Sequence, residues 1–200
     1  WWELSPAQLY SNTPSDFDFK LPHGSHALNP QTLAKRLKNV DVVFPVIHGK
    51  YGEYGDLQAY LEKLNVPFVG SGSRACRQAF DKYEASQFLS RHGYQTLPSI
   101  LLEEGDATNG ARTADFFAEY DLGRAIVKPA RAGSSIGVFS VSSVKEAIEA
   151  SHQIYAQAIG KRAVLEPFIA GVEFTMIILA NTKGEPVALV PTEVEIDYRE

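Results

Sequence analysis

The chain has 200 residues, 44% hydrophobic and 22% charged, a composition that excludes disorder and low complexity and suits one large or two small soluble domains. A net charge of −5 gives no broad attraction to nucleic acid, so any anion must be held by a few local cations. A single cysteine, Cys76, excludes an internal disulfide and a cysteine-based zinc cluster and fits a reducing, cytoplasmic setting, and no apolar run reaches the roughly 18 residues of a membrane-spanning helix.

Trp1-Trp2-Glu3 lacks the basic-then-apolar design of a signal peptide, and the only methionine is Met176. These features, with a charged end at 191–200 that carries no helix-stop signal, predict a piece of a longer chain. Residues 11–30, rich in Ser, Asn, Pro, Asp and Gly without periodicity, read as loop. The apolar run DVVFPVI (41–47) is expected as a buried strand whose tip delivers His48 and Gly49. Leu57, Tyr60, Leu61 and Leu64 at i, i+3, i+4 and i+7 predict a helix, and VPFV follows as a strand, so 41–69 is read as a βαβ unit.

From Asp81 a helix runs to Arg91-His92 with Gly93 as its C-terminal cap. A strand is expected at 99–102, a helix at 113–120, and a hairpin with arms 124–128 and 138–141. Ser143 and Glu146 form a capping box that opens a helix with Val144, Ala147, Ile148, Ser151 and Tyr155 on one face. Residues 163–169 and 172–180 are β-rich, and Asn181-Thr182-Lys183-Gly184 turns the chain into a strand at 187–190. The change from βαβ to hairpin-rich character near 70–80 marks a domain boundary.

The hairpin connection, VKPARAGSSIG at 127–137, carries the clearest chemistry. Lys128 ends an apolar strand, where an unpaired ammonium is costly, so an anion or carboxylate should lie close. Gly133, Ser134, Ser135 and Gly137 offer unhindered N–H groups and hydroxyls for phosphate oxygens, and Arg131 adds a cation. On composition alone a plain surface hairpin with Lys128 reaching solvent fits equally well. A Walker loop is absent. Gly70-Ser71-Gly72-Ser73-Arg74-Ala75 matches a dinucleotide fingerprint but lacks its acidic partner on a second strand.

The loop 48–55 brings an imidazole, His48, and a carboxylate, Glu53, to a strand tip, where ligands commonly sit; a turn with His48 capping a helix is the alternative. Lys82 opens a helix against its dipole, favourable only beside an anion, or else it is an ordinary solvated cation. Glu166 and Glu173 flank PFIAGV, where an acceptor and the main chain of Phe168 and Ile169 suit an adenine edge and ribose, or else form a bend with exposed carboxylates. Glu193 and Glu195 alternate on one strand face, but solvated edge charges are commoner and no metal is assigned to them.

Taken together, HGKYGEYGDLQAYLE, GSG, Asp81-Lys82, VKPARAGSSIGV and LEPFIAGVEFT resemble, in order and spacing, the D-alanine:D-alanine ligases of the ATP-grasp superfamily, from about residue 40 to 195. The resemblance implies an α/β fold: an N-terminal Rossmann-like pre-ATP-grasp part (1–72), a central ATP-grasp subdomain (73–169) and the start of a C-terminal subdomain (170–200), the ATP-grasp domain being incomplete. It implies that Lys82, Lys128, Gly133, Ser134 and Ser135 bind ATP phosphates and that Glu166, Phe168, Ile169 and Glu173 hold the nucleoside. Ser134, His48 and Glu53 would serve catalysis around the first D-alanine. The implied partners are ATP and D-alanine, with Mg2+ or Mn2+ on ligands outside this sequence, in a cytoplasmic enzyme that often forms dimers. Implied too is an acyl-phosphate route to a peptidoglycan precursor. Three positions depart from the pattern: Tyr54 for an acidic residue, Ala59 for glycine and Ala132 for glutamate. A non-catalytic nucleotide-binding module, or a ligase of another amino or hydroxy acid, is the alternative.

Overall fold

The computed structural model describes residues 1–4, 14–24, 26–47, 49–133 and 135–195. At the N-terminal end, β1 (Trp2–Glu3) pairs antiparallel with β2 (His26–Ala27), and α1 (Pro14–Gly24) lies between them in sequence. The loop expected over 11–30 is thus corrected to a helix across most of its length. α1 carries local contacts: the Phe19 ring stacks on His23 at 4.5 Å, and His23 Nδ1 lies 2.7 Å from the Phe19 carbonyl. With no broad apolar face to bury, such a helix leaves no periodic trace in the sequence. In α2 (Pro30–Leu37) the Asn29 side chain accepts from the Thr32 N–H at 2.8 Å and Pro30 takes the first helical position, two start signals that the residues themselves carry.

Leu57 and Leu61, on the predicted face of α3 (Asp56–Lys63), are buried with Val66, and Val43 and Phe68 pack against them. Val43 and Phe68 are joined by a parallel bridge, the Val43 N–H donating to Pro67 O and the Val69 N–H to Val43 O, each at 2.9 Å. The order strand, helix, strand is therefore present, but as one bridge. The buried strand expected at 41–47 is corrected: Val42, Phe44 and Val46 are exposed. An apolar run becomes an inner strand when both its faces are covered, and among the described residues only the α3 side meets a partner.

Two short helices follow, α4 (Ser73–Phe80) and α5 (Lys82–Arg91), and lead into the best-packed part of the chain. There β3 (Ile100–Glu103), α6 (Asn109–Glu119), β4 (Ala125–Pro129), β5 (Phe139–Val141), α7 (Val144–Ala156) and β6 (Arg162–Pro167) form a four-stranded antiparallel sheet, order β3-β6-β4-β5, with two helices on one face. Side chains alternate across a strand. Ala125 and Val127 of β4 and Ala163 and Leu165 of β6 therefore join Leu102, Phe116, Ala147 and Ile154 in the core beneath α6 and α7. Burying each large aliphatic side chain contributes roughly 1.5–3 kcal/mol. Leu101, Val164 and Ala130 point the other way and meet Tyr83 of α5.

The predicted hairpin pairs Ala125 with Val141 and Val127 with Phe139. Two details of α7 differ from expectation. Its buried stripe is Ala147, Ala150, Ser151 and Ile154, rotated from the predicted one because small residues fit closest to the sheet. Ser143 does accept from the Glu146 N–H, at 3.3 Å, but the Glu146 carboxylate returns to the N–H and hydroxyl of Ser142, one residue earlier than in a capping box.

Beyond the sheet, β7 (Glu173–Thr175) pairs with β10 (Thr192–Val194), and β8 (Ile178–Ala180) pairs with β9 (Pro186–Ala188) across the predicted turn at 181–184. Residues in these four strands are exposed, including Phe174, Ile178 and Leu179.

Candidate functional site

The sheet face away from α6 and α7 carries the charged residues. Lys128 pairs in register with Val164 and Ile126 with Glu166, so Lys128 and Glu166 are diagonal neighbours on that face. They form a short ion pair, with side chains 22% and 19% exposed, which satisfies the need of a half-buried ammonium for a partner. Lys82 arrives from a different element. Its N–H donates to Ala130 O at 2.9 Å, tying the start of α5 to the end of β4, and its ammonium donates to Ala132 O at 2.5 Å. Burial first, and then the Lys128 charge, push the Lys82 ammonium below the usual lysine range, against the opposing pull of Asp81 and Glu166. Lys128 thus pairs with Glu166 while Lys82 sits against the Ala132 carbonyl in the field of Asp81 and Glu166, and a bound anion would relieve the repulsion between the two ammonium groups.

Asp81, the residue before Lys82, organises the base of the loop. Its side chain is 3% exposed; one oxygen caps α5 by accepting from the Glu84 N–H at 3.1 Å, and the other accepts from Arg162 at 3.0 Å and faces Arg131 Nε at 3.5 Å. A buried carboxylate in an apolar setting requires such pairing. The cap was visible in the residue order, whereas Arg162, far along the chain, carries no local signal of this contact.

The loop itself is held from both sides. Ile136 N–H donates to Gly133 O at 3.2 Å, Ser135 stands at φ +58°, and Gly137 at φ +71° packs against Pro129 and Ile159. Glu53 accepts from the Gly49 N–H at 2.8 Å, and its carboxylate would lie 3.9 Å from a Cβ placed on Gly133. The two glycine-containing loops, remote in sequence, therefore meet. Tyr54 adds to this junction: its hydroxyl donates to Arg131 O at 3.4 Å, its ring lies 5.9 Å beneath the Arg131 guanidinium, and Phe80 packs on it at 4.0 Å. In the sequence Tyr54 stands out only as a departure from the family pattern.

Lys82, Lys128 and Glu166 are brought together, and Glu53 is brought to Gly133. Phe168 lies apart with the Arg124 guanidinium over its ring at 3.9 Å, and its N–H donates to Arg124 O. Ile169 and Glu173 are exposed, and among the described residues their side chains form no hydrogen bond or ion pair. His48 and Ser134 lie outside the described residues. Among the described residues no group of three or more His, Cys, Asp or Glu is placed to hold a metal ion, and no helix is long and apolar enough to cross a membrane.

A mixed α/β chain with paired lysines under a glycine loop matches known proteins in both sequence and structure. The family model described as D-ala D-ala ligase N-terminus matches residues 3–71, and that described as D-ala D-ala ligase C-terminus matches residues 88–199. The chain belongs to the D-alanine–D-alanine ligase family. It is 35% identical over 170 residues to a D-alanine–D-alanine ligase of Streptomyces avermitilis, covering 82% of this chain and 43% of that protein. The solved D-alanine-D-alanine ligase of Coxiella burnetii superposes with a TM-score of 0.80 at 26% identity, covering 95% of this chain and 56% of that one. The VanG D-Ala:D-Ser ligase of Enterococcus faecalis superposes with a TM-score of 0.65 at 28% identity, covering 78% and 43%. The chain spans about half the length of the curated relatives it matches.

Proposed function

We propose that this chain carries the phosphate-binding part of a cytoplasmic ATP-dependent ligase that joins two D-alanines for peptidoglycan precursor synthesis. The observation that carries the reading is the convergence of Lys82, held by the Ala132 carbonyl of the loop, and Lys128, paired with Glu166, close enough for each charge to act on the other. That arrangement fits a triphosphate, because Lys82 and Lys128 repel one another at half-buried positions and a polyanion between them would relieve that repulsion. Among the described residues, one buried cluster within 1–72, two on opposite faces of the sheet within 73–169 and none in 170–200 support a division at those bounds into a Rossmann-like part followed by the ATP-grasp subdomains.

When bound, ATP supplies the phosphoryl group that activates the first D-alanine's carboxylate. Lys82 and Lys128 hold phosphate oxygens and offset the charge of the transferring group, as fixed cations in a partly desolvated site do well. Gly133, Ser134 and Ser135 close over the phosphates and keep water from the acyl phosphate until the second D-alanine's amine displaces phosphate from it. His48 and Glu53 take the first D-alanine, and the contact of Glu53 with the Gly133 region supports that role. Glu166, Phe168, Ile169 and Glu173 hold the nucleoside, Glu166 exchanging part of its contact with Lys128 for the base. The described residues supply no cluster for magnesium, so no step is assigned to a metal ion.

Lys128→Ala is expected to weaken ATP binding at least about tenfold, or 1.4 kcal/mol, by calorimetry. Unchanged affinity in a folded variant overturns the phosphate assignment. Phosphate release by the complete protein should depend on D-alanine and not on L-alanine; equal rates with both remove the substrate reading. The likeness to a D-Ala:D-Ser ligase supports one variant reading, in which the second amino acid is D-serine, and product analysis with D-alanine and D-serine in competition separates the two.

A further inference from the structure

Behind the loop base lies a cavity of about 490 Å³ between α4, α5 and the end of the sheet. Arg74, Arg77, Arg91, Arg131 and Arg162 line it, against two carboxylates, Asp81 and Glu84. Five guanidinium groups gathered in one concavity of a chain with net charge −5 repel one another unless something neutralises them. Inside the molecule that neutralisation is incomplete. Asp81 is shared between Arg131 and Arg162, Glu84 also serves Arg162, and Arg77 turns to carboxylates outside the groove, an exposed Asp56 at 3.7 Å and the neighbouring Glu62. Among the described residues Arg74 and Arg91 have no ion pair, and Arg162 Nε is buried without a hydrogen bond, its nearest carboxylate, Glu103, standing at 3.5 Å.

We propose that this arginine groove binds a small phosphate-bearing anion at a site separate from the Lys82–Lys128 cluster. Guanidinium forks bind phosphate oxygens bidentately and desolvate at lower cost than ammonium groups. The excess of three cations over carboxylates suits a multiply charged phosphate better than a single carboxylate. The volume exceeds that of a phosphate group and falls in the range of small-molecule sites, and the exposed ring of Phe88 at its edge offers a surface for the organic part of the ligand. The groove uses neither lysine and shares Arg131, at the base of the loop, with the ATP reading.

The test uses inorganic pyrophosphate as probe and the Lys128→Ala chain as background, so that binding at the lysine cluster does not mask the groove. Calorimetry at physiological ionic strength is expected to retain one pyrophosphate site in that background. Adding Arg74→Gln and Arg91→Gln should weaken it at least about tenfold. Both side chains are exposed and unpaired, so their replacement leaves the fold intact, and pyrophosphate should raise the melting temperature only while the two arginines are present. Equal pyrophosphate affinity with and without the arginines overturns the proposal, as does a thermal shift that chloride of matched ionic strength reproduces. Phenyl phosphate binding more tightly than inorganic phosphate, with the difference lost in Phe88→Ala, supports the organic-ligand side of the site; equal binding of the two restricts it to inorganic phosphates and overturns the part assigned to Phe88.

Discussion

The two faces of the four-stranded sheet differ by residue parity: one packs the main apolar core, and the other sets charged residues beside a small buried cluster. On β4, Ala125, Val127 and Pro129 face α6 and α7 and are buried, while Ile126 and Lys128 face the other way; on β6, Leu165 enters the core while Glu166 meets Lys128. Adjacent residues thus do unlike work because a strand alternates its side chains. The charged face has packing of its own, since Leu101, Ala130 and Val164 are buried there against Tyr83 and Val164 is the register partner of Lys128, but the main core lies wholly on the other side.

The largest expected effect sits on the helix face. Leu165→Ala removes a fully buried side chain from the main cluster and should cost about 2–5 kcal/mol in urea unfolding, with ATP affinity of the folded molecules unchanged. Loss of affinity in proportion to stability would break the division between faces. Next comes Gly137, where the loop of the charged face is anchored to the helix side. A Cβ there would stand 3.0 Å from Pro129 Cγ and 3.1 Å from Ile159 Cδ1, on a backbone at φ +71°. Gly137→Ala should therefore cost about 1–3 kcal/mol. Gly133→Ala, whose Cβ meets only Glu53 Oε2 at 3.9 Å, should stay within about 0.5 kcal/mol in the same unfolding measurement.

Much of this division was legible in the residue order, for an identifiable reason. The arms at 124–128 and 138–141, the lysine at the strand end and the glycine loop between them are local patterns, and the structure differs by a residue or two at their ends. The meeting of Lys82 with the loop, of Glu53 with Gly133 and of Asp81 with Arg162 joins distant segments, which periodicity does not encode. The five arginines escaped notice for the same reason: they come from helices, loop and strand, and none stands beside another in sequence. α1 carries no amphipathic stripe to mark it in the sequence, and 41–47 shows only that an apolar run has the capacity to be buried, not that a cover is present.

The smallest effect concerns protons on the charged face. Lys82 is pushed below the usual lysine range by burial and by Lys128, whereas a bound polyanion favours its protonated form. Below the depressed value Lys82 is already charged and binding requires no proton. Between that value and the unfolded lysine range near 10.4, binding must draw a proton from solvent, so ATP affinity falls as pH rises through this window. Folding carries the opposite sign: the unfolded chain holds more protons there, so this group makes stability rise with pH while ligand affinity falls. Calorimetry in buffers of different ionisation enthalpy should detect proton uptake at alkaline pH in the wild type. Lys82→Arg, which stays charged, should abolish that uptake and remove the fall in affinity across the window. An identical pH profile in both proteins would mean that Lys82 does not face the bound phosphate, and would leave Lys128 as the cation that this face offers from the sheet.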